Sequence, residues 1–456
     1  MSNTELSQSL ESRHLTMISI GGIIGAGLFV ASSASIAAVG PVIVVSYLIT
    51  GTLILLVMRM LGEMAMSLPT VRSFTEFARA GLGPWAGFVA GWLYWYFWMI
   101  VVPVEAIAGA KILHHWIAVP EGVLGVALMA AMTGVNLMSA RSYGEFEFWF
   151  SSIKVFAIIA FIAIAGAYAF GWTSPHGPTF GNLTGHGGFM PRGAMSVLAG
   201  AVTVFFYMTG AEIIAVAAAE SAEGARAVAR LTSSVILRIL IFYVGSIFLI
   251  VCVVPWDRIA VGESPFTLAL TTMHFRWAEL AMSVIILTAV LSCLNSAFYV
   301  CSRVLFVLAE KGDAPRTLVQ LNVRRVPVKS VVLCAVAGVA GILAEVAAPQ
   351  RVFALLVSAG GALMVFVYMI VAIAHVRLRH ERERTGAARP AITMWLFPWA
   401  SYAAIAGMAA VLIGMAVTSG LSQDLYVSLV SLAVAVLAYL GLRSRRRSLA
   451  AAVEQR

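Results

Sequence analysis

The sequence predicts an all-α integral membrane protein with twelve transmembrane helices, arranged as a five-plus-five inverted repeat with broken helices 1 and 6. Hydrophobic residues make up 61% of the 456 residues and charged residues 11%, which is too little polar surface for a protein that faces water on all sides. Twelve apolar segments are each close to the roughly 20 residues that cross a bilayer as a helix. They lie near 16–38, 41–62, 86–113, 121–138, 148–170, 194–219, 232–254, 276–307, 329–348, 351–375, 396–418 and 424–442.

The N-terminal tail, residues 1–15, is polar and mixed in charge, and it is expected to lack a cleavable signal peptide. If this tail is cytoplasmic, most of the 30 Lys and Arg residues fall on the cytoplasmic side of the segments. Cytoplasmic loops carry an excess of these residues. The sequence therefore predicts a multi-pass protein of the inner (plasma) membrane with both termini in the cytoplasm. The basic tail, residues 443–456, is expected to lie near anionic lipid headgroups.

The first segment contains a run of glycines that is expected to break its helix. Residues 21–27 read Gly-Gly-Ile-Ile-Gly-Ala-Gly, and each glycine costs a helix about 1 kcal/mol relative to alanine. A broken helix opens backbone amides at membrane depth, where a half-helix N-terminus with its partial positive charge can bind an anionic group. The alternative is that Gly21 and Gly25 only allow close packing of a second helix, as in other small-x-x-x-small patterns.

Charged side chains also lie inside the third and fifth segments. For Glu105 in the third segment, the sequence leaves open a transport role, a partner for Lys111 or a polar contact between helices. Lys154 in the fifth segment either extends to the cytoplasmic surface or places its ammonium group on the opened carbonyls of the first segment. In the second case, partial desolvation allows Lys154 to lose and regain a proton as its surroundings change.

The sixth segment contains the second break that an internal repeat requires. Residues 205–212 read Phe-Phe-Tyr-Met-Thr-Gly-Ala-Glu, so a glycine and a carboxylate interrupt an apolar run. Segments 1–5 and 6–10 each contain an odd number of helices and would insert with opposite orientation. This predicts a transporter core over 16–375 that consists of inverted repeats at 16–170 and 194–375, with helices 11 and 12, residues 396–442, outside the repeat.

Glu212 in this second break is a strong candidate for a functional residue. A charged side chain near the membrane midplane costs a few kcal/mol, so it is expected to face a cavity or a partner. The alternative is a structural hydrogen bond across the break between the two half-helices. Both roles are compatible with each other.

The sequence gives no indication of a cofactor, a metal site, nucleic-acid binding or an enzyme. All four cysteines lie in apolar segments without the spacing of metal ligands. The net charge of +9 is accounted for by the predicted cytoplasmic loops. Neither a nucleotide-binding loop nor a soluble domain that could hold a catalytic site is visible. The expected partners are a small molecule, protons and membrane lipid.

Five motifs occur in a characteristic order, each with a recognisable sequence. They are SRHLTM at 12–17 followed by the glycine run, GWLYW at 91–95, YGEFEFW at 143–149, GAE at 210–212 with AAAES at 217–221, and SCLNSA at 292–297. In these motifs the chain resembles the amino acid transporter family of the amino acid-polyamine-organocation superfamily. Over residues 12–443 it is similar in particular to the bacterial γ-aminobutyrate (GABA) permeases.

The resemblance implies proton-coupled import of an amino acid that binds between the two breaks. Phe206 matches an aromatic gate beside the substrate, and Lys154 matches a lysine that replaces a sodium site. Lys154 and Glu212 are the candidates for proton coupling. The residues that match the substrate-binding positions of the two breaks are Gly22, Ile23, Ile24, Gly25, Ala26 and Gly27 in the first and Thr209, Gly210 and Glu212 in the second.

The predicted function is therefore secondary active transport, by a proton-coupled symporter for GABA or a related ω-amino acid. Gly27 departs from the GABA permease pattern, which has a serine at this position, so a proton-coupled α-amino acid permease of the same family is the alternative. A membrane receptor or channel is a remote alternative, because paired helix breaks favour alternating access.

Overall fold

The computed structural model describes residues 9–454 except 70, 72, 222–223, 349–351, 353–355, 357–359, 361 and 419. These residues form an all-helical fold, as predicted. Their only strand-like feature is a parallel bridge between Leu10 and Ser221. The α-helices are α1 (Ser12–Gly21), α2 (Ser32–Val39), α3 (Ile43–Ser67), α4 (Phe74–Leu82), α5 (Pro84–His114), α6 (Glu121–Met138), α7 (Ala140–Ala169), α8 (Asn182–Gly185), α9 (Met195–Tyr207), α10 (Ile213–Ala217), α11 (Gly224–Val253), α12 (Pro265–Thr272), α13 (Ala278–Glu310), α14 (Val328–Ala347), α15 (Leu363–Thr385), α16 (Trp399–Val417) and α17 (Leu421–Glu454).

Nine helices in the described part of the chain are long and apolar enough to cross a membrane. Three shorter apolar helices, Gly27–Val39, Met195–Tyr207 and Leu237–Val253, lie in the first, sixth and seventh predicted segments. These lengths indicate a multi-pass membrane protein, whereas the total of twelve spans and the inverted repeat stay predictions. The nine long helices are α3, α5, α6, α7, α13, α14, α15, α16 and, over Leu421–Ser444, α17.

The first and sixth segments are both interrupted where the sequence predicted. The first consists of α1, a non-helical stretch over residues 22–25, a π-helix over Gly27–Ala31 and then α2. The sixth consists of α9, a turn over residues 208–212, α10 and a short 3-10 helix, Ala218–Glu220. Neither segment is a continuous helix in the described residues.

The fifth segment begins earlier than its hydropathy suggested. Helix α7 starts at Ala140, and the Ser139 side chain caps it by accepting a hydrogen bond from the Ser142 N–H at 3.0 Å. The prediction began at 148 because Glu145 and Glu147 lower the local hydropathy. Lys154 consequently lies about four turns inside the helix, deeper than its place near the start of the predicted segment.

The interior of the protein is formed around the two broken segments. Helix α5 packs along α13 and helix α3 packs along α11. Helix α1 contacts α7, α10, α11 and α13. This arrangement surrounds the first break with residues from α7, α11 and α13, and it brings the second break against it.

Candidate functional site

The two helix breaks approach each other directly. Gly210 has a φ of +130°, a conformation that only glycine adopts without strain. A Cβ atom at this position would also lie 2.7 Å from the carbonyl oxygen of Gly22. The backbone of the second break therefore packs on that of the first, and both the conformation and the space require glycine.

A single tyrosine on α11 contacts both breaks. The Tyr243 hydroxyl lies 2.9 Å from the carbonyl oxygen of Ile23 and 3.1 Å from that of Tyr207, and its one proton serves both. Tyr243 is fully buried. Its hydroxyl satisfies carbonyls that lost their helical partners, which would otherwise carry a cost of about 1–3 kcal/mol each.

Lys154 holds two more carbonyls at the first break. Its ammonium group donates to the carbonyl oxygens of Gly21 at 2.6 Å and Ile24 at 2.8 Å, and to the Ser292 hydroxyl at 2.8 Å. An ammonium group has three N–H donors, so each is used. The side chain is 0% exposed, and it does not extend to the surface. This geometry corresponds to the second alternative for Lys154, in which the ammonium group contacts the opened carbonyls.

Glu212 stabilises the turn to which it belongs. One carboxylate oxygen, Oε2, accepts a hydrogen bond from the Gly210 N–H at 3.1 Å and another from the Tyr368 hydroxyl on α15. The side chain is fully buried. These hydrogen bonds lie within the turn and to α15, so a structural hydrogen bond between the two half-helices stays a prediction. A role in proton coupling stays a prediction.

A cavity lies between the breaks, α5 and α13. Six of the ten predicted substrate-binding residues lie on its wall, whereas Ile24, Ala26, Gly210 and Glu212 are not on the wall that the described residues form. The aromatic residues of the wall come from α5 and α9. The lining residues are Gly22, Ile23, Gly25, Gly27, Phe97, Trp98, Val101, Val104, Glu105, Phe206, Tyr207, Thr209 and Cys293.

The predicted aromatic gate lies on one side of this cavity. The Phe206 ring packs edge-on against Phe97, with 5.4 Å between the ring centroids, and it also contacts Tyr207. A Cβ atom at Gly360 would approach the Phe206 ring to 2.9 Å. Phe206 is therefore held between α5 and the tenth segment at the edge of the cavity.

Comparison with known proteins agrees with this arrangement of broken helices. Residues 14–448 match the family model described as amino acid permease. The chain belongs to the amino acid permease family. Because its relatives are named permeases, the chain is a transporter rather than an enzyme. The substrate class of the family is a small-molecule amino acid, as the resemblance in the five motifs implied.

Curated relatives of this permease carry two kinds of name. The γ-aminobutyric acid permease of Bacillus subtilis is 42% identical over 449 residues, which cover 98% of this chain and 96% of that protein. The γ-aminobutyric acid permease of Escherichia coli is 41% identical over 417 residues, 90% of this chain and 89% of that protein. The aromatic amino acid transport protein AroP of Escherichia coli is 34% identical over 439 residues, 96% of this chain and 95% of that protein.

The sequence singled out Glu105 of the permease without assigning it to the site. The structure places Glu105 on the cavity wall, 6% exposed. Its carboxylate faces the backbone at Ala26 and the Cys293 thiol. Its Oε1 atom would lie 3.1 Å from a Cβ atom at Gly25. The signal that could have placed Glu105 in the site is its charge inside an apolar segment.

Other residues of the site were missed because the sequence gives no signal for the contacts they make. Tyr243 and Tyr368 are single hydroxyl residues within apolar helices, and Ser292 belongs to the SCLNSA motif, which assigned it no role. Nothing in the local sequence distinguishes a tyrosine that packs from one that holds a broken helix. Their roles depend on which helices meet, and this becomes visible only in the assembled fold.

Proposed function

We propose that the permease is a proton-coupled symporter that imports GABA or a related ω-amino acid across the inner membrane. In this proposal it has twelve spans and cytoplasmic termini. The core over 16–375 contains the repeats 16–170 and 194–375, and the helices of 396–442 lie outside them. Identities of 41% and 42% to γ-aminobutyric acid permeases over most of the chain support the substrate. Its partners are the amino acid, protons and membrane lipid, without nucleic acid.

The observation that carries the proposal is the ammonium group of Lys154 on the carbonyls of the first break, beside a cavity walled by both breaks. In transporters with broken helices, such carbonyls coordinate the coupling ion. A fixed ammonium group on the same oxygens occupies that position and repels a sodium ion. Loss and return of the Lys154 proton would then couple transport to the proton gradient.

The substrate carboxylate is proposed to bind at the amides of the first break. The helical run Gly27–Val39 begins here and directs the positive end of its dipole toward the cavity. The Glu105 carboxylate already lies beside this backbone, with its Oε1 atom 3.1 Å from a Cβ atom placed at Gly25, which supports the ability of these amides to hold a carboxylate. The residues proposed for this end are Gly22, Ile23, Ile24, Gly25, Ala26 and Gly27.

The substrate ammonium group is proposed to bind on the side of the second break. Helix α9 ends at Tyr207, and the carbonyl end of a helix carries a partial negative charge that attracts a cation. Thr209, Gly210 and Glu212 belong to this break, with Glu212 acting through the backbone of its turn. Phe206 would close the cavity over the bound substrate.

Uptake into proteoliposomes tests the proposal. Purified protein is reconstituted, and radiolabelled GABA is supplied under an imposed inward pH gradient without sodium, and then under an inward sodium gradient at equal pH. GABA is expected to accumulate in the vesicles under the pH gradient, and an uncoupler is expected to abolish this accumulation. Accumulation that requires sodium and survives the uncoupler would contradict proton coupling.

The second candidate function is proton-coupled uptake of an α-amino acid. The 34% identity to the aromatic amino acid transport protein AroP and the aromatic residues on the cavity wall, such as Phe97 and Trp98, favour it. Competition of labelled GABA uptake by a panel of amino acids separates the two. Competition by ω-amino acids supports the first candidate, and competition by aromatic α-amino acids alone supports the second.

A further inference from the structure

A chain of hydrogen bonds leads from Lys154 toward the N-terminal end of its own helix. The Lys154 ammonium group donates to the Ser292 hydroxyl at 2.8 Å, and this hydroxyl donates to Glu147 Oε1 at 2.5 Å. Lys154 and Glu147 are about two turns, or roughly 10 Å, apart along α7. Ser292 comes from α13 and bridges the two charged groups.

The direction of these hydrogen bonds suits proton transfer. A hydroxyl group has one proton and two lone pairs. In Ser292 the oxygen accepts from Lys154 while the proton points to Glu147. When a proton arrives from Lys154, Ser292 can therefore release its own proton to Glu147 without a rotation of the side chain.

The three side chains are isolated from solvent. Lys154, Ser292 and Glu147 are each 0% exposed. A Cβ atom at Gly21 would contact Glu147 Oε1, so the glycine that ends α1 leaves room for the carboxylate. A buried carboxylate inside a membrane helix costs a few kcal/mol and indicates function by default. Neither the cavity nor the two breaks accounts for Glu147.

Several titratable groups face the two ends of this chain. Lys154 faces Glu105 from α5 and Cys293 from α13, besides Glu147. Glu147 faces Tyr143 one turn earlier on α7. The charges nearest to the lysine are thus carboxylates on two different helices, of which only Glu147 is joined to it through the Ser292 hydroxyl.

Beyond Glu147, toward the N-terminal end of α7, lies a second titratable pair. His14 of α1 packs against Gly144, about one turn before Glu147. Its Nε2 atom lies 3.2 Å from Glu145, whose side chain is 34% exposed. This end of α7 is the cytoplasmic end in the proposed topology. The chain therefore points from the first break to the side on which the proton must be released.

We propose that Ser292 and Glu147 form a proton relay between Lys154 and the cytoplasm, an inference that rests on the proposed proton-coupled function. An N–H bond breaks at Lys154 as its proton moves to the Ser292 oxygen. The original O–H bond of Ser292 breaks as that proton moves to Glu147 Oε1, where a new O–H bond forms. The charged pair becomes a neutral amine and a neutral carboxylic acid, and Ser292 is unchanged.

Two substitutions and one matched control test the relay. Ser292→Ala removes the bridge and keeps both charged residues, and Glu147→Gln keeps the shape of the acceptor without its acid–base chemistry. Ser151→Ala is the control, because Ser151 donates to the same Glu147 oxygen at 2.9 Å but is not the group that joins Glu147 to Lys154. Each variant is reconstituted in proteoliposomes after a check of its size-exclusion profile.

Three readouts with radiolabelled GABA separate a relay from a structural role. They are accumulation under an inward pH gradient, acidification of the vesicle lumen, and counterflow exchange at equal pH. General acid–base groups contribute at least about a hundredfold in rate. We therefore expect Ser292→Ala and Glu147→Gln to slow proton-driven accumulation at least about tenfold and to lose acidification, with counterflow retained. Ser151→Ala should keep all three.

Each other result overturns a specific part of the inference. Equal accumulation by Ser292→Ala and Ser151→Ala, with a proton-driven wild type, refutes the relay alone. Parallel loss of counterflow and accumulation in both Ser292→Ala and Glu147→Gln, with normal size-exclusion profiles, also refutes it, because residues that act only in proton transfer are not needed for counterflow. Sodium-driven accumulation in the wild type refutes the proposed function, and the relay with it.

Discussion

Replacement of Lys154 by alanine is the most informative single perturbation of the proposed mechanism. It removes a buried positive charge and three hydrogen bonds, two of them at 2.8 Å and one at 2.6 Å. The carbonyls of Gly21 and Ile24 lose this donor inside the protein, and each unsatisfied group costs about 1–3 kcal/mol. The free energy of unfolding is therefore expected to fall by roughly 2–6 kcal/mol.

The same substitution has a separate effect on coupling. A gradient of one pH unit corresponds to about 1.4 kcal/mol per proton, so coupling to one proton supports about tenfold accumulation. If Lys154 carries that proton, the accumulation ratio of Lys154→Ala should fall to about one. Exchange of external for internal substrate should persist, because the proposed substrate contacts are in the first and sixth segments.

The assay combines two measurements on the purified variant. Thermal unfolding in detergent reports stability, and radiolabelled GABA in proteoliposomes reports accumulation and counterflow. Lys329→Ala is a matched control, since Lys329 is exposed in the first turn of α14 and its loss should change stability by no more than about 0.5 kcal/mol. Accumulation by Lys154→Ala with the wild-type pH dependence would refute the coupling role and leave Glu212 as the better candidate for the proton carrier.

Two further substitutions test the first break. Gly25→Val is expected to weaken GABA binding at least about tenfold, or 1.4 kcal/mol, because its Cβ atom would lie 3.1 Å from Glu105 and crowd the amides. Gly134→Val is the control, because a Cβ atom at Gly134 would have no atom within 4 Å. Wild-type affinity in Gly25→Val would show that the break serves packing. Tyr243→Phe should destabilise the protein by about 1–3 kcal/mol, measured by thermal unfolding. Tyr47→Phe is the control, because the Tyr47 hydroxyl has no hydrogen-bond partner among the described residues, and it should change stability very little. Equal effects of Tyr243→Phe and Tyr47→Phe would contradict the bridging role of Tyr243.

The two breaks could be located from the sequence because their causes are local. Glycine destabilises a helix wherever it occurs, so residues 21–27 pointed to the interruption of the first segment. A buried carboxylate beside a glycine did the same for the sixth segment. The contact of Lys154 with the first segment was one of two alternatives, and hydropathy could not choose between them, since the choice depends on how α1 packs against α7.

The parts that the sequence could not provide depend on tertiary contacts. Glu212 was expected to face a cavity or a partner, and the Tyr368 hydroxyl is such a partner. The sequence could not tell which helix supplies it, or that the carboxylate also accepts from the Gly210 N–H in its own turn. The predicted fifth segment began too late because Glu145 and Glu147 lower the mean hydropathy before residue 148. The helix itself starts at Ala140, where the Ser139 side chain caps it. Ser292 belongs to the SCLNSA motif, but its contact with Lys154 is visible only when the packing of α13 against α7 is known.

The hydroxyl that joins the two breaks has a mechanical consequence. Tyr243 possesses one O–H proton, yet the carbonyls of Ile23 and Tyr207 both lie within hydrogen-bond distance of its oxygen. The two half-helices therefore compete for a single donor. A displacement that lengthens one of these hydrogen bonds leaves the proton available to the other carbonyl. The first and sixth segments can therefore shift relative to each other while one of the two carbonyls keeps the Tyr243 hydroxyl as its donor.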